Sequence, residues 1–175
     1  MLRSFVARAE DMRAAAMTDF PALISLLANS RVEFIIVGGA AATAHGSARL
    51  TKDLDIVYRR AKDNVGRMVA TLAPYNPYLR DAPPGLPFKW EEQTIWNGLN
   101  FTLTTSLGAL DLWGEIAGGG DYEKLLPYSI PLQLYDVGCL CLGLERLIYV
   151  KRAAGRPKDL EAIAELESIL EEQKG

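Results

Sequence analysis

The chain has 175 residues, a net charge of −3, 49% hydrophobic and 23% charged residues. That length fits one domain over residues 1–175 and can bury a core without disulfides. The charge argues against a broad footprint for duplex nucleic acid, and no apolar run approaches the roughly 20 residues that span a bilayer, so a cytoplasmic protein without a membrane partner is expected.

The N-terminal stretch carries acidic residues and lacks a long apolar segment, which speaks against a signal peptide. Phe5, Ala9, Met12 and Ala16 instead form one stripe of an amphipathic helix. Residues 20–29 read as a second helix, ended by Asn29-Ser30. EFIIVGG (33–39) is a continuous apolar run that closes on glycines, the pattern of a buried strand turning sharply into a helix over 40–46. LDIVY (54–58) is the next strand, and 63–73 an exposed helix. Residues 74–93 contain six prolines or glycines and read as a loop with one short strand.

Residues 94–96 and 100–106 favour a hairpin through Asn97-Gly98. ALDLW (109–113) is a further strand, Gly118 to Gly120 a flexible loop, and 128–136 an extended segment. Two helices are expected over about 139–154 and 158–173, in a C-terminal helical segment spanning about 137–173. Gly155 and Pro157 stand where a helix stop and a helix start want them. Strands and helices mixed in one short chain indicate an α/β or α+β domain with a mixed sheet. Cys139 and Cys141 are two apart, and His45 is the single histidine. A zinc site would lack ligands, so these read as core thiols and His45 as a packing or capping residue.

Three features carry chemistry. Gly38-Gly39 allows a tight turn and close approach to main-chain amides, though glycine turns between strand and helix also occur without a ligand. There is no P-loop or dinucleotide fingerprint. Asp53 and Asp55 flank Leu54, and in a strand their side chains share one face, roughly 6.5 Å apart along the chain. Carboxylates so placed repel unless a cation intervenes. They can converge on two divalent ions about 3.5–4 Å apart, or be a solvated pair at a strand entrance. Asp111 sits among Leu110, Leu112 and Trp113, where a charge is costly unless paired or metal-bound. If its strand neighbours 54–58, Asp111 completes a three-carboxylate cup; otherwise it is a strand-end acid bonded to a base or an amide. By alternation Trp113 and Glu115 would share its face, with Glu115 a weaker substitute acid.

Two basic groups flank these acids: Arg49, Lys52, Arg59, Arg60 and Lys62, then Lys151, Arg152, Arg156 and Lys158. Either can meet phosphates or lie in solvent.

FIIVGGAAATAHGSARLTKDLDIVYRR followed by ALDLWGEI resembles the DNA-polymerase-beta-type nucleotidyltransferase superfamily, over a core of about residues 30–115. That pattern is a hydrophobic strand, Gly-Gly, about a dozen residues, Asp-x-Asp and a later carboxylate. The tail from Lys151 to Asp159 is similar to the Lys…Arg-x-Lys-Asp helical motif of minimal nucleotidyltransferases, including AbiEii-like toxins of toxin–antitoxin systems. Those proteins often carry another acid where this chain has Ala162.

The resemblance implies the nucleotidyltransferase fold, with Mg²⁺ or Mn²⁺ on Asp53, Asp55 and Asp111 as catalytic and metal-binding residues. It implies an NTP, for instance ATP, held near Gly38, Gly39, Ser47, Arg49, Lys52, Lys151 and Lys158. The transferred nucleoside monophosphate would go to a hydroxyl on RNA, protein or a small molecule, and Tyr75, Tyr78, Phe88 and Trp90 would line an acceptor pocket or simply pack. The alternative is a catalytically weak or inactive binding module that engages an antitoxin-like partner.

Overall fold

The computed structural model describes residues 17–175, so the stripe of Phe5, Ala9, Met12 and Ala16 lies outside them. Asp19 opens the first described helix, α1 (Phe20–Asn29): its Oδ1 accepts from the Ala22 amide at 3.0 Å. This satisfies one of the helix's orphan donors. Leu23, Ile24 and Leu27 form the buried stripe.

β1 (Phe34–Val37) is buried at every position, as expected for a central strand covered on both faces. It passes directly into α2 (Gly38–Ala44). The chain returns antiparallel through β2 (Asp53–Tyr58), with Val37 opposite Asp55. α3 (Lys62–Leu72) follows and buries Val65, Met68 and Leu72. Asn64 is fully buried at its start. Its side-chain amide accepts from the Glu33 amide at 2.7 Å and donates to the carbonyls of Glu33 (3.0 Å) and Arg59 (2.9 Å), which fixes the entry to β1 against the exit of β2.

β3 (Tyr78–Leu79) is the short strand within 74–93. β4 (Phe101–Thr105) and β5 (Gly108–Trp113) follow. β6 (Glu115–Ile116) and β7 (Gly120–Asp121) form a separate two-stranded ribbon whose turn is Ala117 to Gly119, with Gly120 already in the strand. β8 (Ser129–Leu134) and β9 (Val137–Leu142) complete a seven-stranded mixed sheet in the order β3-β4-β5-β2-β1-β9-β8. The pairs β2–β5 and β1–β9 are parallel, and the others antiparallel. After the short α4 (Glu92–Asn97) and α5 (Tyr122–Leu125), the C-terminal helices α6 (Leu144–Ala154) and α7 (Pro157–Lys174) pack on each other, and α2 contacts α6. Gly155 takes a left-handed backbone (φ 64°) between them, and Pro157 opens the second, as the sequence indicates. The core joins Leu27, Ile36, Leu54, Ile56, Leu110 and Leu147 in one cluster. No helix among the described residues is long and apolar enough to cross a membrane.

Two expectations are corrected. Residues 92–97 form α4 (Glu92–Asn97), not a hairpin arm. Glu92 in its first turn suits the positive end of the helix, and Ile95 is its buried anchor. The hairpin is β4–β5, where Thr105 pairs with Gly108 and Gly108 takes a positive φ of 115°. The second correction concerns Cys139 to Leu142, which are strand and not helix: Ile35 and Ile36 pair with Leu140 and Cys141. The C-terminal helical segment therefore starts at Leu144, not near 137. An apolar run this short has no periodicity that separates a buried strand from a buried helix. α5 (Tyr122–Leu125), capped by Asp121, was also not anticipated.

Candidate metal centre

The acids are gathered by register. β2 and β5 run parallel with Asp55 opposite Asp111 and Asp53 opposite Ala109. Alternation puts Asp53 and Asp55 on one face of β2, while Leu54 is fully buried on the other. Oxygen atoms of Asp53, Asp55 and Asp111 all lie within 4.8 Å of one another. The cup expected from the sequence is therefore formed. Glu115 does not join it: Gly114 breaks the strand, and Glu115 is exposed and paired with Asp121 in the ribbon.

Asp111 is 5% exposed. Burial, reinforced by the neighbouring Asp55 carboxylate, pushes its carboxyl up to about 7. Asp55 is raised too, chiefly by burial, against the pull of a hydrogen bond from Trp113. That bond runs from the indole Nε1 to Oδ1 of Asp55 at 3.1 Å. Trp113 thus shares the face of Asp111, as alternation predicts.

Gly38, the first residue after β1, stands against this cup with a left-handed φ of 62°. A Cβ built there would land on Oδ2 of Asp55, and one on Gly39 would meet Oγ1 of Thr51 at 2.6 Å. Both glycines are therefore required by close approach, and the first also by its backbone conformation.

A residue that the sequence reading passed over completes the cluster. Arg80, one position beyond β3, has Nη2 2.6 Å from Oδ1 of Asp111 and 3.7 Å from Oδ2 of Asp53. Its Nη1 donates to the Leu103 carbonyl at 3.2 Å. It lies in a Pro- and Gly-rich loop, and only the strand order β3-β4-β5 carries it to Asp111.

The remaining candidates divide. Lys151 is 15% exposed, with Nζ 3.9 Å from Oδ1 of Asp159. Burial lowers its pKa, while the charges of Asp159 and Asp55 favour its cationic form. Asp159 caps α7 in a box with Arg156. Burial opposes its ionisation, but hydrogen bonds from Arg156 and the charges of Arg156 and Lys151 hold its carboxyl below the usual range. Lys158 is exposed, and Ala162 is buried within α7.

Ser47 and Arg49 contact α7. Ser47 Oγ donates to Glu165, the Ala48 amide donates to the same carboxylate at 3.4 Å, and Arg49 lies 3.7 Å from Glu161. These bonds clip the segment before β2 onto α7. Lys52 has an exposed side chain, and its carbonyl accepts from Thr18. In the first basic group, Arg59 pairs with Glu33 at 3.1 Å and Glu123 at 3.0 Å. Arg60 donates to the Ile95 carbonyl at 3.2 Å.

His45 Nε2 lies 2.7 Å from the Leu142 carbonyl, so that nitrogen carries the proton and the residue is structural. Tyr78 and Phe88 pack edge to face at 5.8 Å, and Trp90 donates to the Val69 carbonyl at 2.9 Å. Tyr78, Phe88 and Trp90 thus each make a packing or hydrogen-bond contact within the chain. Surface clefts of about 350 and 470 Å³ are lined by none of the three aspartates.

An all-carboxylate oxygen set, partly withdrawn from water, suits a hard divalent cation. No protein-family model matches the chain, and no curated protein matches it.

Proposed function

We propose that this chain has the nucleotidyltransferase fold and is a metal-dependent nucleotidyltransferase. It moves a nucleoside monophosphate from an NTP to a hydroxyl on an acceptor. One observation carries the reading: Asp53, Asp55 and Asp111 converge within 4.8 Å on adjacent parallel strands, beside a glycine-only turn. Burial raises Asp55 and Asp111 towards protonation, a cost that a bound cation offsets. Mg²⁺ or Mn²⁺ held by these three residues supplies charge neutralisation at the phosphoryl oxygens.

The rest falls to the chain itself. The acceptor oxygen bonds to the α-phosphorus, the bond from that phosphorus to the αβ-bridging oxygen breaks, and pyrophosphate leaves. Asp111 takes the acceptor's proton as general base. The main-chain amides that follow the Gly38-Gly39 turn meet the phosphates, and Lys151 offsets their charge. Asp53→Asn or Asp55→Asn should then lower turnover by roughly 10³-fold, the scale for losing a central electrostatic group.

Thermal unfolding with each of the four NTPs, plus Mg²⁺ or Mn²⁺, tests the reading. A ligand at 100 times its Kd adds about 2.7 kcal/mol. A metal-dependent shift that disappears in the Asp53→Asn/Asp55→Asn variant is expected. A wild-type protein that no nucleotide stabilises overturns the enzyme reading. It would favour a catalytically weak binding module with an antitoxin-like partner.

A further inference from the structure

We propose that Arg80 is a resident counter-cation of the carboxylate cup, and that its side chain must swing out when a divalent ion binds. The inference rests on the metal-site reading above. The guanidinium touches Asp111 at 2.6 Å and reaches Asp53 at 3.7 Å, so it bridges two of the three acids. An octahedral Mg²⁺ draws its oxygens to about 2.0–2.1 Å. The guanidinium sits on the approach to Asp111 Oδ1, and two positive charges in one cup repel. Asp55 is different. Its Oδ1 accepts from Trp113, and no Arg80 nitrogen lies within salt-bridge distance among the described contacts. Asp55 is thus where an incoming ion meets a carboxylate that Arg80 does not hold.

The backbone of Arg80 is built to stay while the side chain leaves. Its amide donates to the Thr102 carbonyl at 2.9 Å, which ties it to β4. The side chain is 24% exposed and so has a path to water. Arginine does not lose its proton in proteins, so the cup cannot discharge this cation by titration; it can only exchange it. Displacement leaves a guanidinium tethered at the rim, with donors in a fork that matches phosphate oxygens. Arg80 thereby couples metal loading to capture of the triphosphate.

Mn²⁺ alone is the probe, with free Mn²⁺ counted by electron paramagnetic resonance at about pH 8, above the value to which burial raises Asp111. Arg80→Met should bind Mn²⁺ about 10- to 100-fold more tightly than wild type, the scale of one competing charge-assisted hydrogen bond. Arg80→Lys should fall between, because the ammonium keeps the charge but loses the fork; it carries the test if Arg80→Met does not fold. A Mg²⁺ titration of the Arg80 Nε–H resonance, assigned by its absence in Arg80→Lys, should shift in step with binding. Equal or weaker Mn²⁺ binding in the Arg80 variants overturns the proposal, as does an Nε–H resonance that stays put while Mg²⁺ binds. In those cases binding that Asp55→Asn abolishes leaves the metal site standing. If no protein of the series binds Mn²⁺, both readings fall together.

Discussion

The indole nitrogen of Trp113 donates to Oδ1 of Asp55 at 3.1 Å, across the paired strands β5 and β2. Trp113 stands two residues beyond Asp111 on the same face, so it reports on the cup without competing for it. Bound Mn²⁺, being paramagnetic, should quench its fluorescence, and Mg²⁺ should not. Trp113→Phe should abolish most of the Mn²⁺-dependent quench, since Trp90 and Trp96 are engaged elsewhere, at Val69 and Arg60. The variant should also bind Mn²⁺ about tenfold more weakly, because Asp55 loses a hydrogen bond that favours its ionised form. An undiminished quench in Trp113→Phe would remove the ion from this site.

The buried acids make metal-free stability depend on pH. The Asp111 carboxyl is raised from 3.8 to about 7, chiefly by burial, so the folded state holds this proton more tightly than the unfolded chain. The stability linked to protonation is fully present below about pH 4 and is lost as pH rises through about 7. Metal-free wild type should therefore lose stability from pH 5 to pH 8 relative to Asp111→Asn, by something on the order of 1–4 kcal/mol. Millimolar Mg²⁺ should restore the wild type at the alkaline end and leave Asp111→Asn unchanged. Urea midpoints across that range check it; parallel curves for the two proteins would contradict the raised carboxyl.

Much of the cup is legible in the sequence, because strand alternation is a local rule. Asp-Leu-Asp must put two acids on one face, and an acid inside Leu-Asp-Leu-Trp needs a partner. Arg80 is not legible. It follows a strand of two residues, and its approach to Asp111 depends on β3 pairing with β4 and β4 with β5, a long-range order that no local pattern encodes. Ser47 and Arg49 show the converse. They stand near Asp53 in the chain, yet Glu165 and Glu161, more than a hundred residues on, claim them. Cys139 to Leu142 show the same limit within one element: only the empty edge of β1 decides that they are strand. The Gly155–Pro157 break was readable because those two residues act through their own backbone torsions.

The two tail lysines should separate in function. Lys151 is largely buried, and both Asp159 and Asp55 act on its charge, whereas Lys158 is exposed at the start of α7. Lys151→Met should weaken metal-dependent NTP binding by about tenfold or more, the scale of a charge-assisted contact. Lys158→Met should change it less than threefold or so, as for solvated charges. Calorimetric titration with each variant measures both. A larger loss for Lys158 would shift the triphosphate towards the outer end of α7.

Gly38 makes a sharper claim, because two separate effects act on one atom position. Its φ of 62° costs an L-residue about 1 kcal/mol or more, and an added Cβ also lands on Oδ2 of Asp55. Gly38→Ala should destabilise the protein by about 1–3 kcal/mol and weaken Mn²⁺ binding, since Asp55 must move. A double-mutant cycle with Asp55→Ala separates the causes. Removing the carboxylate relieves the clash and leaves only the backbone strain, so the two changes should couple by about 0.5–3 kcal/mol. Strict additivity in urea unfolding would mean that the glycine serves the turn alone. Coupling would mean that the turn and the metal ligand are shaped against each other, so that no larger residue fits at position 38 while Asp55 stays within the cup.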